Sequence, residues 1–304
     1  MCVWSLSPVF TQVPTAALDA LLSAHFSPDR PGGAVLVAQR GQVVYRKAFG
    51  LADMSKHMAL EPGHIFRVGS LTKQFTAAAI LQLAEQGRLS VKDTIGKYIT
   101  GYPTQGKTIR IEHLLTHTSG IRNYTDMERW DAEFRKKNLT VPELVDFFKN
   151  EPMDFDPDME WKYSNSGYIL LGYIIEQVTG KPYERYLRER IFRPLGMNNT
   201  YLGTAEDTLR RRALGYTESE TDSTLILPAK PLSMTQPYAA GAMLSTVDDL
   251  YTWTKALHSG RVVSAQNMKH LLYPYYLPSG KSAHYAYGLV PRLLLGSFTS
   301  EHGG

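Results

Sequence analysis

Ser70 and Lys73 place a hydroxyl and an amine three positions apart in Gly69-Ser70-Leu71-Thr72-Lys73, ahead of the apolar stretch Phe75-Thr76-Ala77-Ala78-Ala79-Ile80-Leu81. Residues three apart on an α-helix share a face, so the Lys73 amine falls within hydrogen-bond reach of the Ser70 hydroxyl. A neutral amine there takes the serine proton and turns the oxygen into a nucleophile. A helix start adds unpaired backbone N–H groups and the positive end of the helix dipole, both of which favour developing negative charge. The same spacing is common as a cap followed by a solvated charge. The glycine ahead, the apolar helix behind and two motifs downstream carry the catalytic reading further.

The second motif is Tyr163-Ser164-Asn165, which follows Pro157 and precedes a helix predicted over Gly167 to Thr179. It is expected on a loop, with the tyrosine and the amide two apart and pointing the same way. In a serine hydrolase without a histidine base, a phenol beside a lysine ammonium is expected to have its pKa lowered and to shuttle protons. The plainer reading is Tyr163 packed on the following helix with Asn165 as its cap.

The surrounding elements are read from periodicity and stop signals. Thr15 to Phe26 is an amphipathic helix. Gly33 to Gln39 and Gln42 to Phe49 are strands joined by Arg40-Gly41, a hairpin. A helix from Ser70 runs to Gln86 with Gly87 as C-cap, another spans Val141 to Phe148 behind Thr140, and a third follows Thr246 and ends at Gly260. Tyr285 to Val290 and Leu293 to Phe298 are strand-like, with Tyr273, Tyr275, Tyr276, Tyr285 and Tyr287 as core, edge or pocket aromatics. The predicted class is α+β: one domain over 1–304, a sheet region from about 1–65 and 260–304, a helical region over about 70–260, and a site in the crevice between them.

Composition narrows the function. A chain of 304 residues with 43% hydrophobic and 20% charged residues is too apolar for wholesale disorder, and a net charge of +4 without a basic stripe argues against nucleic acid. Arg210-Arg211-Arg212 reads as a solvated run. The single cysteine, Cys2, permits neither an internal disulfide nor a cysteine-based zinc cluster, and His113 with His117 lacks the glutamate of a metalloprotease helix. No cofactor or metal is expected. Met1 to Phe10 lacks a leader pattern and no segment approaches the roughly 18 apolar residues of a membrane span. A cytoplasmic location without a membrane span is the expectation, with a leader-less exported protein as the alternative. Asn123, Asn138 and Asn198 match the glycosylation pattern, which is coincidental in such a chain.

With these motifs in order, the chain resembles the serine β-lactamase and penicillin-binding-protein superfamily, in the branch of class C β-lactamases, D-aminopeptidases, D,D-peptidases and esterases. Phe66 to Tyr98 is similar to the nucleophile helix and its sequel. Leu114 to Gly120 is similar to the Leu-Leu-x-His-Thr-Ser-Gly segment, and Tyr163 to Met197 to the Tyr-x-Asn block ending in Pro-Leu-Gly-Met. The resemblance covers nearly the whole chain from residue 33. It implies Ser70 as nucleophile, Lys73 as its partner in proton transfer, Tyr163 as general base or acid, and Asn165 as an anchor for lysine and substrate. It further implies an antiparallel sheet flanked by helices, an acyl-enzyme formed at Ser70, and the Ser70 N–H as an oxyanion donor.

The family's third motif, a Lys-Thr-Gly-like triplet, is matched by His302-Gly303-Gly304, with His302 and Gly303 expected to bind substrate. Histidine there departs from the lysine that meets a carboxylate in typical lactamases; alternatively His302 lies in a loose tail. The resemblance places a second oxyanion donor after the triplet, together with C-terminal strands and a helix that the 304 residues do not contain. Losing one such donor costs about 3 kcal/mol in the transition state, and an incomplete sheet invites self-association. The expected function is a serine hydrolase acting on a small ester, amide or peptide, as an esterase or D-amino-acid peptidase. The alternatives are a penicillin-binding D,D-carboxypeptidase or β-lactamase, and a non-catalytic binding or assembly protein on the same fold.

Overall fold

The computed structural model describes residues 14–203, 210–222 and 224–304. Met1 to Phe10 and Cys2 lie outside the described residues. In chain order the helices are α1 (Thr15–His25), α2 (Thr72–Glu85), α3 (Ile111–Leu115), α4 (Val141–Phe148), α5 (Asn165–Thr179), α6 (Tyr183–Leu187), α7 (Arg193–Leu195), α8 (Tyr238–Gly241), α9 (Val247–His258) and α10 (Ala265–Leu272). The strands are β1 (Gly33–Gln39), β2 (Gln42–Phe49), β3 (Leu51–Asp53), β4 (Met58–Ala59), β5 (Phe66–Arg67), β6 (Tyr201–Leu202), β7 (Tyr216–Glu218), β8 (Ile226–Pro228), β9 (Met243–Ser245), β10 (Val290–Leu294) and β11 (Ser297–Glu301).

Every strand ladder is antiparallel. Among the described residues they form small separate sheets, of which β5-β9-β6 has three strands and the others two. Strands are therefore not confined to the two ends of the chain: β6 to β9 fall within the stretch read as helical. The predicted hairpin is β1-β2, closed by Arg40 and Gly41 at φ of 53° and 77°, the left-handed pair that a two-residue turn requires. The strand expected over Tyr285 to Val290 is instead a turn. Gly288 there (φ 77°) lies against the α2 backbone, where a Cβ would come within 2.7 Å of the Lys73 carbonyl oxygen. Strand β10 begins only at Val290 and pairs with β11 through a turn at Leu295 and Gly296.

The core forms around α2 and α5, whose composition explains their burial. From Thr72 to Leu81 every residue of α2 is buried, as are Ser166 to Gly172 in α5. Helices buried on all sides in this way belong inside a larger protein, and the polar groups of α2 at Thr72, Lys73, Gln74 and Thr76 are buried with it. Trp253 of α9 stacks on Phe75 at 3.9 Å between ring centroids and donates its indole N–H to Gln74. Small residues set the spacing between α5 and α8: a Cβ on Gly172 would stand 2.4 Å from the Ala239 Cβ. That close approach brings the α8 backbone carbonyls over α2.

Candidate functional site

Ser70 lies in a single 3-10 turn, Gly69–Leu71, and the regular helix starts at Thr72 rather than at Ser70. The Thr72 hydroxyl fixes this join by donating to the Gly69 carbonyl at 2.6 Å and accepting the Met243 N–H at 3.1 Å, which ties the turn to β9. The Ser70–Lys73 face survives the change of helix type: Nζ and Oγ are 2.9 Å apart.

Lys73 is fully buried. Its amine also reaches Asn165 Oδ1 at 2.8 Å and the Ala240 carbonyl of α8 at 2.7 Å. Burial without a carboxylate partner pushes its pKa well below the ordinary lysine value, because the ammonium form has lost its water. The Tyr163 hydroxyl donates to Ser70 Oγ at 2.7 Å. Here the expected depressed phenol pKa is overturned. Burial raises Tyr163 to about 12, only partly offset by its bond to Ser70. The lysine amine sits 4.7 Å from the Tyr163 ring centroid, over the ring, with no hydrogen bond to the hydroxyl. An amine that faces the ring and makes no hydrogen bond to the hydroxyl gives a phenolate little support.

Asn165 is the first residue of α5 and not a loop residue; Ser164 is the helix cap, and its hydroxyl donates to the Ile121 carbonyl instead of capping the helix. The segment 117–125 holds the Tyr163 motif along its length. His117 Nδ1 accepts the Ser164 N–H, and Asn123 Oδ1 accepts the Asn165 N–H. Tyr124 is buried and donates its hydroxyl to the Gln236 carbonyl. Asn123 is buried and engaged, which removes it from the set of glycosylation candidates.

The other side of the cleft is formed by the end of β11. His302 Nε2 is 2.8 Å from the Tyr285 hydroxyl and Nδ1 is 2.6 Å from the Gly303 carbonyl. With Nδ1–H donating to Gly303, Nε2 accepts from Tyr285. Burial, with a smaller effect of Lys73, lowers the His302 pKa, so the ring is neutral and carries no charge to offer a carboxylate. Its centroid is 6.4 Å from that of Tyr163. Gly303 is exposed, with open space where a Cβ would stand. Gly304 is packed against the turn of Ser70, where a Cβ would stand 2.2 Å from the Val68 carbonyl oxygen. The structure thus brings Ser70, Lys73, Tyr163 and Asn165 into one hydrogen-bonded set, with His302 across from Tyr163.

Sequence reasoning missed Ala240, Asn123 and Thr125, and left Tyr285 among generic aromatics. A backbone carbonyl such as that of Ala240 has no sequence signal. The run of small residues Ala239-Ala240-Gly241 was a cue to a close helix approach.

The chain matches the β-lactamase family over residues 17–304. It is 32% identical over 271 residues to penicillin-binding protein 4* of Bacillus subtilis, covering 85% of this chain and 59% of that protein. Among solved structures it is similar to the octameric penicillin-binding protein homologue from Pyrococcus abyssi, with TM-score 0.79, 30% identity, and coverage of 94% and 66% of the two chains. It is also similar to D-amino acid amidase from Ochrobactrum anthropi SV3, with TM-score 0.81, 28% identity, and coverage of 95% and 84%. The chain spans about three fifths of the length of the curated relative from Bacillus subtilis. These matches and the hydrogen-bonded Ser70, Lys73, Tyr163 and Asn165 agree on one conclusion: the chain belongs to the β-lactamase family, with its α+β fold of helices and antiparallel strands.

Proposed function

We propose that the protein is a serine hydrolase that forms an acyl-enzyme at Ser70 on a small ester, amide or D-amino-acid peptide. The observation that carries the reading is the set of partners around Lys73. A neutral amine has two N–H groups and one lone pair. Ala240 O only accepts, and so does Asn165 Oδ1, so the two N–H groups are committed to them and the lone pair faces the Ser70 hydroxyl. Ser70 Oγ attacks the substrate carbonyl while its proton passes to Lys73. The Tyr163 phenol, which holds its proton at neutral pH, completes the relay by donating toward Ser70 Oγ and the departing group. The Ser70 N–H would serve as an oxyanion donor. Water then attacks the acyl carbon, passing a proton to Tyr163 in place of the one given to the departing group, and the bond to Ser70 Oγ breaks as Oγ takes back the proton held on Lys73.

Neutral His302 favours substrates without a carboxylate at that side, which supports an esterase or amidase before a lactamase. One relative's structure holds D-phenylalanine, which supports a D-amino-acid amide as the first substrate to try. The domain reading remains a single unit, and an octameric relative supports testing for self-association by light scattering. Among the described residues no helix is long and apolar enough to cross a membrane.

Intact-protein mass spectrometry after exposure to a fluorophosphonate or a penicillin tests the reading. One adduct on the wild type that is lost in Ser70→Ala supports the nucleophile, and a penicillin adduct that persists would favour the penicillin-binding alternative. Folded wild type that takes no adduct from either probe would leave a non-catalytic role.

A further inference from the structure

The ends of an amide side chain are assigned from what each neighbour is able to do. Asp126 Oδ1, 2.7 Å from the Asn123 amide nitrogen, only accepts, and the Asn165 backbone N–H on the other side only donates. Asn123 therefore points its NH2 at Asp126 and its oxygen at Asn165. The same NH2 reaches Thr125 Oγ1 at 2.7 Å, and Thr125 Oγ1 accepts from Asn165 Nδ2 at 3.3 Å. With its NH2 drawn to Thr125, the Asn165 side chain has its oxygen left for Lys73 at 2.8 Å. The order of groups is a carboxylate, an amide, a hydroxyl, a second amide and the amine. Reversing the Asn165 amide would set NH2 against the Lys73 amine and draw the lone pair away from Ser70.

We propose that Asn123 and Thr125 are positioning residues that hold the Asn165 amide oxygen on Lys73 and thereby direct the lysine lone pair at Ser70. This rests on Ser70 being the nucleophile, and it adds two residues that make no hydrogen bond to the serine. Both lie in the Asn123-Tyr124-Thr125 glycosylation pattern and in neither of the catalytic motifs. They belong to a segment whose hydrogen bonds run to three consecutive residues of the α5 start: Ser164 to His117, Asn165 to Asn123, and Ser166 to the Arg122 carbonyl.

The test is the rate of fluorophosphonate adduct formation against pH, read by intact mass, for wild type, Thr125→Val and Thr125→Ser, with Ser70→Ala as the blank. Thr125→Val keeps the shape and removes the acceptor. Its plateau rate is expected to fall about tenfold, the scale of one hydrogen bond, and Thr125→Ser is expected to recover most of it. The titratable groups around Lys73, namely Tyr163, Tyr168, His117 and His302, are untouched by either variant. The acid limb of the profile should therefore not move upward. If the role were merely structural, loosening would admit water, return Lys73 toward its ordinary pKa and move that limb to higher pH together with a lower melting temperature. Such a displacement, or a Val variant that labels as fast as wild type, overturns the proposal while leaving Ser70 as nucleophile. A wild type without a Ser70-dependent adduct overturns both.

Discussion

The two walls of the cleft are built in opposite ways. On the helical wall, Lys73 is sealed between α2, α5 and α8, and each of its three polar contacts is filled by a different segment of chain. On the strand wall, His302 is held by Tyr285 and by its own neighbour Gly303, at the end of a hairpin whose Leu293, Leu294, Leu295 and Phe298 are exposed. The contrast separates two tasks. Tuning an amine requires a dry, over-determined site, because desolvation is what removes the charge. The strand wall, to which the proposed reading assigns the substrate, keeps an accessible edge.

The largest break in that comparison comes from Lys73→Met. Acylation should fall about 10²- to 10⁴-fold, the range of general acid–base catalysis, measured as the rate of fluorophosphonate labelling. The same variant reports on burial. The folded-state pKa of Lys73 is lowered, so between that value and the unfolded 10.5 the unfolded chain binds more protons and wild-type stability rises with pH. Urea melts across that window should show the rise in wild type and a flatter dependence in Lys73→Met.

Tyr163→Phe is next. It keeps the ring over which the amine sits and removes the donor to Ser70, and labelling should fall about a hundredfold. Because the phenol titrates near 12, the wild-type profile should show no limb from its ionisation at neutral pH. A Tyr163-dependent limb near pH 7 would restore the phenolate mechanism expected from sequence.

Gly288→Ala acts through the backbone. A Cβ at φ 77° and 2.7 Å from the Lys73 carbonyl oxygen should cost about 1–3 kcal/mol of stability by thermal or urea melting, with a smaller loss of labelling. Smallest is Leu295→Lys on the opposite wall. Leu295 is 98% exposed, and its replacement should change stability by no more than about 0.5 kcal/mol. A cooperative loss there would show that the hairpin supports the helical wall after all.

The helical wall was the more legible of the two in sequence, for a physical reason. Ser70 with Lys73 and Tyr163 with Asn165 are each local, and local spacing predicts which groups share a face. The helix starts behind Thr140 and Thr246 were readable for the same reason, and the structure has both as N-caps. What escaped depends on partners far along the chain. Proximity of Lys73 to Tyr163 was foreseeable, but the burial that raises the phenol pKa was not, nor that the amine meets the ring face and not the hydroxyl. The Asn123 and Thr125 contacts needed the register of segment 117–125 against α5, which no periodicity encodes. Gly288 read as part of a strand because its neighbours are Tyr, Leu and Val, whereas its place against α2 is a matter of clearance.

That clearance at Gly288 bears on the order in which the protein matures. The turn over 285–289 closes on the Lys73 backbone from a position more than 200 residues later in the chain, and the Ala240 carbonyl arrives from 167 residues away. Contacts this distant form late, after the local helices. Until they form, Lys73 is wet and carries an ordinary ammonium, so the serine beside it is an unremarkable alcohol. On the proposed mechanism the Ser70 hydroxyl gains its reactivity only once these contacts have closed, and a chain still lacking them would be chemically quiet.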